Sequence, residues 1–503
     1  LPNLGLVSMA GNREPEECEI GVVDLVLCKD DLIGNIKRVL DKFQPEFVGL
    51  NSMTFQFFTA RRIAQWIKEE YNPDIKLILG GYHASLCYDE ITQPVPEGAD
   101  PNDLQVKKTC QWADFIVRGE GEHALRQFIH AWRNQDDLGE VPGLSWKGPY
   151  GDWRHNDRCD VLDLSTIKLP DRSARLIKNG YYAIEKKCDV VETSRGCTNT
   201  CKFCSIAQMY GRGIRFYDVE RVIADIKVCH DNGARAILFI DDNITLNPAR
   251  LESICDRIIE EGLNDITFHT QAGAVGLIAR PTLIPKMGKA GFSIVFFGIE
   301  NYRKKNLDLF AKRLPLLKLK QMVKDLRQNG MTSFGGFIIG NPDDNVADIE
   351  ANVNFARYLD LDVPAFQVLV PFPKTELRQE LMDGGWITNP DDYSRYTGLL
   401  ANVKTQYLSP EQLNKECLRC YYRYFTPQWV WRRLWRPKLM KRYANFFMHV
   451  ALKHGKLAVS SWLETYRRKL ALRGAHQDRA EAEDSVLSRF EKIRDEKTRI
   501  FQD

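Results

Sequence analysis

Between residues 20 and 134, short apolar runs alternate with stretches whose apolar positions recur every three or four residues. Residues 20–27 form the first run, and 32–43 follow with helical spacing. Residues 47–51 and 75–79 read as strands with a helix over 60–70 between them. Residues 115–117 read as a further strand before a helix beginning near Glu120. Strand and helix periods alternating over short connections predict a parallel sheet covered on both faces. Ligands of such sheets sit beyond the carboxyl ends of the strands. The segments that fall there are Asn51-Ser52-Met53-Thr54, Gly80-Gly81-Tyr82-His83 and Arg118-Gly119-Glu120-Gly121-Glu122.

The alternation returns over residues 189–375. Strands are predicted at 190–193, 236–240, 267–270, 293–298, 332–339 and 365–370, with helices at 219–232, 248–262, 281–290, 316–328 and 346–359. Six strand–helix units predict an open, partial (β/α)6 barrel whose working face is again the carboxyl end of its strands. The fold class is therefore α/β in three parts. Residues 1–139 form a doubly wound, Rossmann-like parallel-sheet domain, and 140–188 a connector rich in Gly, Pro, Asp and Trp. Residues 189–375 form the partial barrel, and 376–503 a mostly helical C-terminal region.

Composition narrows the setting. With 503 residues, 44% hydrophobic and 11% aromatic, the chain supports a large packed core and is not a disordered protein. A net charge of +3 gives no whole-chain argument for nucleic acid. The 13 cysteines show no even disulfide spacing, which points to a reducing, oxygen-poor cytoplasm. No apolar run reaches about 18 residues, so no membrane-spanning helix is expected. The chain opens on Leu1, and the expectation is that it starts inside a longer gene product.

The candidate chemistry lies just after the first barrel strand, where Cys197, Cys201 and Cys204 are spaced C-x3-C-x2-C. Three thiolates so close together can hold three irons of a cuboidal [4Fe–4S] cluster and leave the fourth open to an exogenous ligand. A structural zinc or iron–sulfur knot is the competing reading, although zinc usually takes four ligands in paired C-x2-C units.

This spacing, with Phe203 between the second and third cysteines, resembles the radical S-adenosylmethionine (SAM) enzymes. The resemblance implies a [4Fe–4S] cluster on Cys197, Cys201 and Cys204, SAM on the open iron, and a 5′-deoxyadenosyl radical as product of its cleavage. It also assigns SAM contacts. Phe203 would pack on the adenine, with a plain core aromatic as the alternative. Asp242 in Phe239-Ile240-Asp241-Asp242 would accept from the ribose or amino group, or else cap the next helix. Gly298 and Glu300 in Gly298-Ile299-Glu300, and Gly340 in Gly340-Asn341-Pro342, complete the set, and Gln271, just after the third strand, has the position and donors for the SAM carboxylate or ribose.

A second resemblance covers the first part. Leu4-Gly5-Leu6, Val22-Val23-Asp24-Leu25, Gly80-Gly81-Tyr82-His83-Ala84-Ser85 and residues 114–122 look like the cobalamin-binding domain fused to many radical SAM enzymes. In that family the first strand precedes the Leu-Gly-Leu helix, so this chain would lack it. The implied cobalamin contacts are Ser52, Met53, Gly80, Gly81, Tyr82, His83, Arg118, Gly119 and Glu120. The D-x-H-x-x-G cobalt-ligand motif is absent. His83 stands in the right loop for a cobalt contact, or is simply a hydrogen-bonding loop residue. Leu169-Pro170-Asp171-Arg172 resembles the short motif that precedes the radical domain in the same family.

The C-terminal region changes the partner list. Residues 419–473 carry fourteen Lys or Arg against one acid, Glu464, with aromatics interleaved. This pattern suits a helical lid on the barrel, a peripheral membrane contact, or, less well, RNA. Nucleic acid is not expected, and Cys417 with Cys420 lack the second pair a metal site would need. The family resemblance implies methylation at an unactivated carbon of a hydrophobic small molecule (a lipid, isoprenoid or tetrapyrrole) by the radical and methylcobalamin. The alternatives are a radical cyclisation, oxidation or carbon–carbon coupling, and a non-catalytic cobalamin or iron–sulfur sensor. An electron donor such as flavodoxin or ferredoxin is the implied protein partner.

Overall fold

The computed structural model describes residues 2–28, 31–158, 161–426 and 429. One structural unit ends at Thr426 and holds two large sheets and a separate two-stranded hairpin.

The first sheet starts with helix α1 (Leu4–Gly11), capped by the Asn3 side chain accepting from Leu6 N, and helix α2 (Leu32–Phe43). Strand β1 (Phe47–Asn51), helix α3 (Phe57–Trp66), strand β2 (Lys76–Gly80), helices α4 (Tyr82–Ile91) and α5 (Leu104–Lys107), strand β3 (Phe115–Val117) and helix α6 (Gly121–Asn134) follow. β1, β2 and β3 are parallel, as the period switching predicts. Two differences stand out. The apolar run at 20–27 is not a strand. Val22 makes one isolated bridge to Arg175, and Asp24 turns the chain by accepting from Val26 N. The predicted connector also supplies two more strands, β4 (Leu144–Lys147) and β5 (Trp153–His155), which extend the first sheet antiparallel beyond β3. Phe47, Phe115, Phe128 and Trp132 pack edge-on and tilted under this sheet, with ring centroids 4.7–6.3 Å apart. Burying each such ring contributes about 1.5–3 kcal/mol.

The second sheet begins with the antiparallel edge β6 (Tyr182–Ala183) on β7 (Lys186–Val191). The chain then forms a hairpin, β8 (Ser194–Cys197) and β9 (Gly213–Phe216), separated by helix α7 (Ile206–Tyr210). After α8 (Val219–Asp231) come β10 (Ala236–Phe239), α9 (Pro248–Glu260), β11 (Thr267–Gln271), α10 (Ala274–Ala279) and α11 (Leu283–Lys289). β12 (Phe292–Glu300), α12 (Lys304–Leu309), α13 (Leu316–Gln328), β13 (Thr332–Ile339), α14 (Val346–Tyr358) and β14 (Val363–Val368) complete it. β7 and β10–β14 stand in sequence order, all parallel, which is the partial barrel of six strand–helix units.

Buried charges fasten the connector between the sheets. Arg172 pairs with Asp225 at 2.5 Å and Asp189 at 3.2 Å, and Arg175 pairs with Asp189 at 2.7 Å. Asp171 N donates to Val7 O and Arg172 pairs with Asp189 on β7, so the Leu169–Arg172 motif ties α1 to the first barrel strand.

Beyond the barrel, α15 (Glu376–Asp383) and α16 (Pro410–Tyr424) close the unit. On α16, Tyr421 and Cys417 both donate to Phe366 O on β14, and Cys417 and Cys420 are buried. This part of the C-terminal region packs against the edge strand of the barrel and α14. Its basic aromatic continuation past Thr426 lies outside the described residues.

Candidate active site

Loops at the carboxyl ends of β2 and β3 meet the cysteine hairpin, Tyr82 against Tyr210 and Glu120 and Glu122 against Arg195. Cys197 ends β8, and Cys201 and Cys204 follow in the loop before α7, where Cys204 N donates to Cys201 O at 3.1 Å. All three thiols are free, partly buried and close enough to perturb one another. Burial raises each of them, Cys204 to about 12. Thiols held this high are released by metal binding, which couples coordination to proton loss. Among the described residues no three His, Cys, Asp or Glu converge on one point for a single ion. A cluster takes its thiolates on separate irons, so this donor set fits a cluster better than a zinc ion.

The hairpin is locked from the next strand. Asp241, buried, accepts from Thr193 N, Thr193 Oγ1 at 2.7 Å and Ser194 Oγ at 2.5 Å. Asp242 accepts from Gly196 N at 3.2 Å, and burial pushes its carboxyl up to about 6. Gln271, exposed at the end of β11, donates to Asp242 O at 3.0 Å. Asp242 thus holds the cysteine strand rather than capping α9, a role taken by Asn247.

Glu300 sits at an irregularity in β12 with φ +62°, a left-handed conformation unusual for a residue with a side chain. It forms an ion pair with Lys312 at 2.5 Å. A Cβ on Gly298 would come within 2.0 Å of Glu300 Oε1 and 2.6 Å of Lys312 Nζ, so the pair folds over bare backbone. The Lys312 charge also acts on Cys197 and Cys201, lowering their pKa values against the effect of burial. Lys312 belongs to no recognisable motif, and the sequence offered no signal for it. Phe203 packs edge-on against Phe310 at 5.3 Å. Gly340 opens a turn held by Asp344, which accepts from Gly340 N, Asn341 N and Asn341 Nδ2 at 2.9–3.0 Å.

The first sheet reaches this site through α4. Tyr82 meets the Tyr210 ring edge-on at 6.2 Å, and its acidity is suppressed first by burial, with Tyr210, Asp242 and Cys204 adding to it. Gly81 has φ +93°, and a Cβ there would fall 2.1 Å from Asn51 Oδ1. Only glycine turns this loop over β1. Ser52 is buried with no partner for its hydroxyl among the described residues, while Met53 and Phe55 beside it are 41% and 40% exposed. The space around Gly119 is open, and a Cβ there would meet nothing within 4 Å. The unpartnered hydroxyl, the exposed apolar side chains and the open space at Gly119 suit the bulky flat ligand that the resemblance implies for these loops.

Three residues named with this group have other duties. The His83 ring is fully buried between Phe57 and Tyr393, with centroids at 4.5 and 4.6 Å, and burial lowers it to about 3. It is therefore a neutral core residue, closed off from the crevice. Arg118 stacks on Tyr88 at 4.3 Å and donates to Leu144 O and Asn156 O, pinning the β4–β5 hairpin to β3. Glu120 and Glu122 receive Arg195 at 2.9 and 2.6 Å, and Glu120 also pairs with Arg215 at 2.8 Å. These charges clasp the first sheet to the cysteine hairpin.

Glu192 completes the clasp at 2.8 Å from Arg195, and burial pushes its carboxyl up to about 7. A folded pKa above the ordinary glutamate value means that this stability is full below about pH 4.5 and is lost as the pH rises through 7. Urea midpoints of the apoprotein should therefore fall between pH 5 and 8. The Glu192→Gln variant should show a flatter profile, and an equally steep one would refute the assignment.

Residues 191–356 match the Radical SAM superfamily, so the chain carries a radical SAM domain and is an enzyme of that class. It is 28% identical over 469 residues to an uncharacterized methyltransferase of Pyrococcus horikoshii, covering 92% of this chain and 94% of that one. It is also 25% identical over 397 residues to the anaerobic magnesium-protoporphyrin IX monomethyl ester cyclase of Rubrivivax gelatinosus, covering 78% and 67%. The radical SAM methyltransferase TsrM of Kitasatospora setae, solved with cobalamin and a [4Fe–4S] cluster bound, shares the fold. The TM-score is 0.63 at 16% identity, covering 84% of this chain and 86% of that one.

Proposed function

We propose that this chain is a cobalamin-dependent radical SAM methylase acting on an unactivated carbon of a hydrophobic small molecule. The observation that carries the reading is the meeting of Tyr82, from the glycine loop of the first sheet, with Tyr210 at the end of the cysteine hairpin. It supports a reading in which a cradle at Ser52, Met53, Gly80, Gly81 and Gly119 stands beside Cys197, Cys201 and Cys204, as a reaction shared between two cofactors requires. The names of the relatives, a methyltransferase and a cyclase, support the class.

In this reading the three cysteines hold the cluster, and Phe203, Asp242, Gln271, Gly298, Glu300 and Gly340 line the place of SAM. Bound together, the cofactors supply hydrogen-atom abstraction and a transferable methyl group, and the protein supplies orientation and exclusion of water. Lys312 holds Glu300 in its strained conformation and keeps a positive charge beside the thiolates. Tyr82 stays protonated at any working pH, so it closes the site with a neutral ring and a hydroxyl donor. The Asp241 hydrogen bonds fix the hairpin so that the cysteines keep their spacing. An electron donor of the flavodoxin or ferredoxin type, and a peripheral membrane contact through the basic aromatic C-terminal segment, belong to the same proposal. Among the described residues no helix is long and apolar enough to cross a membrane.

Anaerobically reconstituted protein, supplied with cobalamin, SAM, a strong reductant and the substrate, should form 5′-deoxyadenosine and S-adenosylhomocysteine in equal amounts. The likeness to the cyclase favours a second reading, radical ring closure without methyl transfer. 5′-Deoxyadenosine without S-adenosylhomocysteine would favour a radical reaction without methyl transfer, ring closure, oxidation or carbon–carbon coupling, and count against methylation.

A further inference from the structure

On either side of α12 stands a residue with a side chain in the left-handed backbone conformation, Glu300 at φ +62° and Ala311 at φ +51°. Such conformations are costly for any residue but glycine and persist where the surrounding structure over-determines them. At Ala311 the cause is the end of α12. Ala311 N donates to Asp308 O at 3.0 Å and Lys312 N to Leu307 O at 2.9 Å, the paired bonds of a helix stop that glycine usually supplies. The stop turns the chain back over β12, where the Lys312 ammonium meets Glu300 at 2.5 Å.

The same turn is packed on the cysteine loop. Lys202 N donates to Phe310 O at 3.1 Å, and the Phe203 and Phe310 rings meet edge-on. Lys202 and Phe203 lie between Cys201 and Cys204, so the backbone that ends α12 is fixed against the loop carrying the thiols. The Lys312 side chain is 20% exposed and that of Glu300 10%, so water and salt screen the pair little. Burial raises the Cys201 thiol; against it Lys312 lowers the thiol, and Glu300 raises it by less. Lys312 acts in the same direction on Cys197. The ion pair therefore presents its cation to the cysteines. Lys202, the cation within the loop itself, is neutralised by Glu376 and Glu380 at 3.0 and 2.5 Å.

A cluster held by three thiolates is negatively charged and becomes more so when one electron enters it, with no bond to the protein made or broken. Charge beside a cluster is one of the factors that set its reduction potential. We propose that Lys312 raises the reduction potential of the cluster on Cys197, Cys201 and Cys204, and that the left-handed turns at Glu300 and Ala311 hold its charge in place. The electron comes from the flavodoxin- or ferredoxin-type donor. The inference rests on the reading of these cysteines as cluster ligands and is independent of whether a methyl group is transferred.

The test uses the full chain, reconstituted anaerobically with iron and sulfide and free of SAM. It is poised at a series of potentials with redox dyes, and the reduced cluster is measured by electron paramagnetic resonance. At the potential that half-reduces the wild-type cluster, Lys312→Met should lower the ratio of reduced to oxidised cluster about tenfold. For one electron that is a shift of about 59 mV to more negative potential. Lys312→Arg keeps the charge and should stay within about twofold of wild type, while Glu300→Gln should move the ratio the other way. The double variant, Lys312→Met with Glu300→Gln, leaves neither charge without its partner. It should still lie below wild type, because the cation is the stronger of the two at the cysteines. An unmoved potential in Lys312→Met, an equal fall in Lys312→Arg, or a double variant at or above wild type would overturn the proposal. Iron and sulfide content checks that each variant holds its cluster, and if Lys312→Met does not, the double variant decides. A wild-type chain that forms no cluster would remove the reading of the cysteines and this inference with it, whereas a cluster with an unmoved potential removes the inference alone.

Discussion

Cys201→Ala should abolish SAM cleavage, at least about a thousandfold, and strip the protein of its cluster iron while bound cobalamin stays in place. Groups that act as one unit fail together, so Cys197→Ala and Cys204→Ala should each be as damaging, and the triple variant no worse. The structure supplies the reason for this shared fate. Cys204 N bonds to Cys201 O, each thiol perturbs its neighbours, and Asp241 and Asp242 hold the strand that delivers Cys197. Cys417→Ala is the control. That thiol is buried on α16 against Phe366 O, and its loss should leave cleavage unchanged. Iron content, the anaerobic visible spectrum and 5′-deoxyadenosine formation separate the outcomes. Cleavage retained in Cys201→Ala would remove the cluster from these residues.

The barrel was legible in the sequence because its strands are buried on both faces and read as continuous apolar runs between amphipathic helices. The predicted strand at 332–339 and helix at 316–328 coincide with β13 and α13. The misreadings are of a different physical kind. Residues 20–27 have strand composition, yet Val22 finds only Arg175 to pair with, and the capping carboxylate of Asp24 turns the chain. β4 and β5 were hidden in a Gly- and Pro-rich stretch, because an antiparallel edge hairpin depends on partners far along the chain. The site divides in the same way. The cysteine spacing is local, so it could be read directly. The pairing of Glu300 with Lys312 and the enclosure of His83 by Phe57 and Tyr393 join segments that only the fold brings together.

The clasp between the sheets is the most exposed of these long-range features to mutation. Arg195→Leu should lower the unfolding free energy by about 3–5 kcal/mol, because it leaves buried carboxylates without their cation. Glu120 keeps Arg215, but Glu122 and Glu192 are left with Ser8 and Tyr217 as neutral donors. A change of shape alone would cost less, since leucine fills much of the same volume. The lost charge therefore outweighs the lost packing, and its signature is pH dependence. Without the guanidinium, the Glu122 carboxyl, held low by Arg195, rises above its unfolded value, and that of Glu192, already raised by burial, rises further. The lost stability should then return as the pH falls toward the unfolded carboxyl range and be greatest in neutral and alkaline solution. Adding Glu122→Gln and Glu192→Gln to Arg195→Leu should recover part of the loss at pH 8, and the coupling follows from a mutant cycle of urea unfolding curves. An Arg195→Leu penalty that is the same at pH 5 and pH 8, and indifferent to those two substitutions, would mean that the arginine acts by packing alone. The clasp also has a functional consequence that stability does not measure. It fixes the Glu120 loop of the first sheet to the strand carrying Cys197, so a folded Arg195→Leu chain should still cleave SAM while transferring methyl groups less efficiently, because the cradle is no longer held against the hairpin.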